Sequence, residues 1–307
     1  MWIILATSAG AVLGCGDVFL KYLSRRLKPS VACFGLYFLG MLVWVPILSL
    51  TGRSQAFLQS VYLPTDIQLL VLGRSLLQLF AYAPIFLALR TLPLSTYSAL
   101  RALSPVLALS AGTLMYGDRP SVAACLGIVA ILLGVVTVSR TDYRRTLSAS
   151  GTSCPRRHLT LSYILAVSAA TCSAIMPIYD KNLLSIAHAD SFVLQALSDL
   201  YRLGLLLVIL LFAGRPATPL SWRLSQSAKN VSRALAVAAL LIAGGEMLSF
   251  YAVSLPGSLP SVVAILRRAS LPVSAILGKL VFGEALRLEK IAGIVAVVLG
   301  IMLINGT

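Results

Sequence analysis

The chain has 307 residues, of which 58% are hydrophobic and only 11% charged, with a mean hydropathy of +0.92 and a formal net charge of +15. A soluble domain would carry roughly 25% charged residues, so the composition excludes a soluble globular protein and indicates a polytopic helical membrane protein. The positive charge does not indicate nucleic acid, because many basic residues sit in short loops between apolar runs, the pattern of cytoplasmic loops.

In chain order, apolar runs predict ten membrane spans at about 2–21, 30–51, 67–89, 92–116, 120–139, 160–183, 191–213, 230–254, 259–282 and 287–304. Each is long enough to cross about 30 Å of hydrocarbon at about 1.5 Å per residue. The first, "MWIILATSAGAVLGCGDVFL", lacks a basic leading region and a small-residue cleavage site, so it is expected to remain as a span. The sizeable polar break is "TDYRRTLSASGTSCPRRH", whose Ser, Gly, Pro and Arg content reads as a linker. It divides the chain into 1–140, a linker at 141–158, and 159–307.

The two halves repeat one another. "LPLSTYSALRALSPVLALSAGTLMYGDRPSVAACLGIVAILLGVV" aligns with "LPSVVAILRRASLPVSAILGKLVFGEALRLEKIAGIVAVVLGIM". Leu92-Pro93 falls on Leu259-Pro260, Arg101 on Arg268 and Pro105 on Pro272 at one constant offset. After a one-residue slip Gly117-Asp118 falls on Gly283-Glu284, Gly127 on Gly293 and Gly134 on Gly300. The fronts match more weakly, with Lys21 near Lys181. Five spans per repeat force the copies into opposite orientations, the inverted architecture of secondary transporters with a site near the midplane. Loops 1–2, 3–4, 5–6, 7–8 and 9–10 hold most of the loop arginines and lysines, and the other side holds little beyond Arg53, Arg119 and Lys181. By the positive-inside rule the first set is cytoplasmic and both termini are outside.

At "GDRPSVAACLGIVAILLGVV" and "GEALRLEKIAGIVAVVLGIM" the sequence resembles the EamA domain of the drug/metabolite transporter superfamily. That repeat ends in a Gly-Glu-Arg-like turn followed by a helix with spaced glycines. Here Asp118 stands for the Glu in the first copy, and Glu284-Ala285 lacks the Arg in the second. The resemblance covers nearly the whole chain. It implies ten helices in two inverted five-helix repeats around a central cavity, working by alternating access without ATP. Many relatives are assigned cytoplasmic termini, the opposite of what loop charge indicates here.

Charged residues well inside the spans are Arg74, Arg101, Asp199, Arg202, Glu246, Arg267 and Arg268. Each costs about 2.5–3.5 kcal/mol at a helix centre, so they are expected to face the bundle interior. Helical spacing supports inward stripes: Arg74, Gln78 and Tyr82 on span 3; Tyr97, Arg101, Ser104 and Pro105 on span 4; Gln195, Asp199 and Arg202 on span 7; Glu246, Ser249 and Phe250 on span 8. Arg267 and Arg268 are adjacent, about 100° apart on a helix, so they cannot point equally to one spot. Structural pairing is expected of Asp199 with Arg202, and of Glu246 with one arginine of span 9. Five arginines against two acids then leave an excess of three positive charges, which an anionic substrate would neutralise through guanidinium forks. Arg101 and Arg267-Arg268 are also similar to the phosphate grip of triose-phosphate translocators, in the same superfamily. Those carry a basic residue on helix 4 and a Lys-Arg pair on helix 9.

The candidate substrate-binding set is therefore Arg101, Arg268, Arg267, Arg74, Tyr97, Gln78, Tyr82, Glu246 and Phe250. Asp17 and Lys21, near the end of span 1, are expected to snorkel. Tyr251 joins the aromatics that could line a cavity, though packing accounts for most such residues. Gly10/Gly14, Gly127/Gly134 and Gly293/Gly300 are expected to permit close packing within a monomer. Pro84, Pro105, Pro177 and Pro272 read as kinks. The five cysteines and two histidines show no metal or disulfide spacing, so neither metal nor cofactor is expected. Nor is there a catalytic cluster or a GxxxxGK[ST] loop, which disfavours an enzyme.

The leading expectation is a secondary transporter of a small organic anion, phosphorylated metabolites included, in a bacterial inner membrane, with protons as a candidate coupling ion through Glu246. The alternatives are an exporter of amino acids or similar metabolites, and a flippase for an anionic lipid headgroup.

Overall fold

The structure is a computed structural model describing residues 1–104, 106–107, 121–149, 156–212, 226–258 and 260–305. The rear of span 4 with Pro105, the Gly117-Asp118 turn, Arg119, Cys154, Arg215 and Arg223 lie outside the described residues. The described helices are α1 (Trp2–Ser24), α2 (Pro29–Leu50), α3 (Ser54–Ser60), α4 (Thr65–Thr91), α5 (Leu94–Arg101), α6 (Val122–Ala149), α7 (Arg156–Ala187), α8 (Ser191–Phe212), α9 (Gln226–Ser254) and α10 (Pro260–Leu266). A 3-10 turn (Arg267–Ala269), α11 (Ser270–Phe282) and α12 (Leu288–Asn305) follow. Helices α1, α2, α4, α7, α8 and α9 each contain a segment long and apolar enough to cross a membrane. The molecule is an all-helical polytopic membrane protein, as its composition predicts, because in hydrocarbon only a helix satisfies every backbone group within one segment.

Each expected span other than the fourth is found as helix among the described residues, with differences at the ends, and the fourth is described only over its front, as α5. A short helix, α3, caps the connection between spans 2 and 3. Helices α6 and α7 continue past their apolar runs, to Ala149 and from Arg156. The two repeats pack equivalently. Span 1 lies against span 8 as span 6 lies against span 3, and spans 2 with 7, 4 with 9, and 5 with 10 pair across the relating axis. Glycines allow the close approach of spans 5 and 10. A Cβ on Gly134 would stand 2.5 Å from the Gly293 carbonyl oxygen, and one on Gly300 would stand 2.6 Å from that of Gly127. These glycines pack spans 5 and 10 together inside the chain, as the sequence reading expects.

Span 9 reads as one apolar run but is built in three pieces. The turn at Arg267–Ala269 is 3-10, and the Ser270 amide bonds back to the carbonyls of Arg267 and Arg268. Span 4 tightens at the equivalent place. The Ala102 amide is shared between Ser98 and Ala99 carbonyls at 3.2 and 3.0 Å, and Leu103 bonds Leu100 at 3.1 Å. The cause is in the sequence: Pro272 stands four residues after Arg268 and Pro105 four after Arg101. Proline has no N–H for the carbonyl four residues back and crowds it. Both repeats therefore break directly at their arginine. Helix α1 closes on the break of span 9, since a Cβ on Gly10 would lie 2.7 Å from the Arg267 oxygen and one on Gly14 2.9 Å from that of Ser270.

Candidate functional site

Among the described residues the arginines of the bundle interior form four ion pairs with buried acids. Arg202 pairs with Asp199, and Arg267 Nη2 donates to Glu246 Oε1 at 3.1 Å. Both pairings match the sequence reading. The other two do not. Arg74 Nε donates to Asp180 Oδ1 at 2.7 Å, and Arg101 Nη1 grips both oxygens of Asp17 at 3.0 and 3.1 Å. For the five interior arginines the expected excess of three positive charges is thus corrected to one, because Asp17 and Asp180 are interior acids. Both are buried, and Lys21 is buried too, so the expectation that Asp17 and Lys21 snorkel is also corrected. They lie near span ends in sequence, yet their side chains turn inward. Asp17 stands on the helical face of Gly10 and Gly14, the stripe packed against span 9.

The remaining one of these five arginines is Arg268, 4% exposed. Among the described residues no carboxylate lies within ion-pair distance of it, and its Nε is buried without a hydrogen-bond partner. Its electrostatic neighbours are Arg101, Arg267, Tyr97 and Asp17. Arg101 is similarly placed: its Nε is also unpartnered, and its guanidinium lies 5.6 Å from the Tyr97 ring centroid. Two arginines at equivalent breaks therefore stand near one aspartate, which pairs with Arg101 and not with Arg268.

Glu246 is the junction of the network. Gln78 donates to Oε2, while Tyr82 Oη donates to Oε1 at 2.8 Å beside Arg267. Two cavities of about 10 Å³ flank it, each the size of a single water. Gln78, Tyr82, Ile85, Arg101, Ser173, Met176 and Arg267 line one, and Tyr37, Gln195, Asp199, Arg202 and Ile242 line part of the other. The structure thus brings Gln78, Tyr82, Arg101, Glu246 and Arg267 to one cavity. Arg74, Phe250, Tyr97 and Arg268 are outside that lining. Arg74 is held by Asp180, by Gln195 Oε1 at 2.6 Å and by the Phe250 ring at 4.2 Å, so it acts as a brace beside the cavity. Tyr251 packs edge-on against Phe192. With cavities this small, the site is closed around its own side chains, and a metabolite could enter only if the helices part.

Two further groups were not singled out from sequence as part of a network. Trp44 Nε1 donates to Asp199 Oδ2 at 2.5 Å. Lys21 Nζ meets Glu284 Oε1 at 2.5 Å, and Glu284 also accepts from the Leu94 amide at 2.7 Å and the Ser95 hydroxyl at 2.7 Å. This explains the Gly-Glu turn of the repeat. Gly283 takes φ +65°, its amide bonds Lys279, and the Glu284 amide bonds Gly278 at 3.3 Å, closing α11. The side chain then caps the first turn of α5, the helix that carries Arg101. Burial alone would raise the Glu284 carboxyl. The Lys21 ammonium, with the hydrogen bonds from Leu94 and Ser95, holds it below its usual range.

Among the described residues no group of three or more His, Cys, Asp or Glu side chains could hold a metal. A family model described as the EamA-like transporter family matches residues 1–140 and 160–306. Among 28 matching chains of solved structures, one titled only as the crystal structure of a protein superposes with a TM-score of 0.65 at 18% identity. It covers 97% of this chain and 95% of its own, a likeness that shows the fold alone. No curated protein matches by sequence.

Proposed function

We propose that this chain, which belongs to the EamA-like transporter family and is a transporter rather than an enzyme, moves a small organic anion by alternating access without ATP. Phosphorylated metabolites fall in the class. The observation that carries the reading is Arg268, a buried guanidinium with no acid partner among the described residues and a free Nε, beside Arg101 and its free Nε. A buried unpaired charge is costly, and a carboxylate or phosphate that supplied the missing charge would be held by forked hydrogen bonds. The proline-broken segments that carry both arginines give the site its moving parts, since irregular backbone lining a cavity is where broken transporter helices bind substrate. On the positive-inside reading both termini lie outside and the linker lies in the cytoplasm, in a bacterial inner membrane.

A second reading rests on Glu246, which lies between two cavities with Arg267 beside it. A zwitterion such as an amino acid could place its ammonium on that carboxylate and its own carboxylate on Arg268. Proteoliposomes separate the two. Vesicles loaded with unlabelled phosphorylated metabolites or dicarboxylates should drive uptake of the labelled compound without ATP. Exchange driven only by amino acids favours the zwitterion, and exchange with none of them overturns both readings.

A further inference from the structure

One cavity is remote from the charge network. A groove of about 310 Å³ opens between α6 and α7, lined by Ser139, Arg140, Thr160 and Tyr163. Its volume reaches the lower end of small-ligand sites, roughly 300–1,000 Å³. The sequence sets its depth. The apolar part of α6 ends at Thr141 and that of α7 begins at Leu159, so the groove lies at the ends of two apolar segments, the level at which headgroups are expected.

Its chemistry is two-sided. The walls are mostly apolar. One helical turn further along the apolar segments, Val136 and Ile164 are exposed on the outside of the bundle. At the mouth, Tyr163 Oη donates to the Ser139 carbonyl at 3.2 Å and ties the two helices together, while the Ser139 hydroxyl is buried without a partner. Arg140 is exposed, with no carboxylate in ion-pair distance among the described residues.

We propose that this groove binds an anionic phospholipid, with the phosphate at Arg140 and the Ser139 hydroxyl and an acyl chain along the apolar wall. A guanidinium suits phosphate oxygens, and basic pockets between helices at a membrane surface bind anionic headgroups. The apolar wall opening to the lipid side favours a phospholipid over free phosphate. The site shares no residue with the proposed transport site and stands independently of it.

The full-length protein in neutral detergent is titrated with phosphatidylglycerol, phosphatidylcholine or inorganic phosphate while the unfolding midpoint is followed. Phosphatidylglycerol should stabilise the wild type, and phosphatidylcholine and inorganic phosphate should not. Arg140→Gln should weaken the phosphatidylglycerol response about tenfold, the scale of one charge-assisted hydrogen bond, and Arg140→Lys should recover part of it. Native mass spectrometry should show the bound lipid retained by the wild type and depleted in Arg140→Gln. An equal response of Arg140→Gln, or equal stabilisation by phosphatidylcholine, overturns the site. Stabilisation by inorganic phosphate alone overturns its assignment to lipid.

Discussion

Lys21 and Glu284 meet at 2.5 Å across 263 positions of chain, and the same carboxylate caps the amino end of the helix that carries Arg101. One residue of the second repeat thus holds two helices of the first. Glu284 is pulled below the usual carboxylate range by Lys21 and its amide donors, against burial. A depressed folded-state pKa contributes stability that is present above the unfolded value, near 4.5, and lost as pH falls through the folded value. Unfolding midpoints measured downward from pH 5 should fall in the wild type and fall less in Glu284→Gln. At pH 7 that variant should be destabilised by about 3 kcal/mol, since it leaves buried Lys21 unpaired. Parallel acid profiles would remove Glu284 from the account.

Asp17 is predicted to be the counter-charge of Arg101. Asp17→Asn should cost about 3–5 kcal/mol, the scale for breaking one side of a buried pair. The double variant Asp17→Asn/Arg101→Gln should be more stable than Asp17→Asn alone. A double-mutant cycle by chemical unfolding measures this coupling, and strict additivity would contradict it.

The glycine contacts predict opposite effects of one small change. Gly134→Ala puts a methyl group into the backbone of Gly293 and should destabilise by about 1–3 kcal/mol, as overpacking does. Gly204, also helical, has nothing within 4 Å of a built Cβ, so Gly204→Ala should be neutral or stabilise by up to about 1 kcal/mol. Thermal unfolding of the two variants side by side checks the contrast.

Much of the fold is legible in the sequence because hydrophobicity in a bilayer is a length signal, and because the repeat appears twice with its prolines, arginines and glycines in register. The interior charges were only half legible. Arg202 with Asp199 sits at i, i+3 on one helix and can be read from spacing. Arg74 with Asp180 and Arg101 with Asp17 join helices distant in sequence, and both acids lie near span ends where depth cannot be counted from loops alone. The break at Arg267–Ala269 was foreshadowed by Pro272. Its consequence, that Arg267 turns to Glu246 while Arg268 has no acid partner among the described residues, depends on backbone geometry that a helical wheel does not contain.

Glu246 is predicted to couple transport to protons, because the carboxylate that holds Arg267 lies between both cavities. Glu246→Gln should abolish uptake driven by a pH gradient and leave substrate exchange intact. Proteoliposome uptake with and without the gradient measures both. Unchanged pH dependence rejects the role.

The central claim is that Arg268 and Arg101 receive an anion, and ligand-dependent stabilisation tests it most directly. Unfolding midpoints of the wild type, Arg101→Gln and Arg268→Gln would be measured with phosphorylated metabolites, carboxylates, amino acids and amines, since a ligand that binds only the folded protein must raise its stability. The account predicts that anions stabilise the wild type and that both variants lose the response. Stabilisation by amines or amino acids alone, or an equal anion response in the variants, would mean that the two arginines are internal braces and that the substrate binds elsewhere.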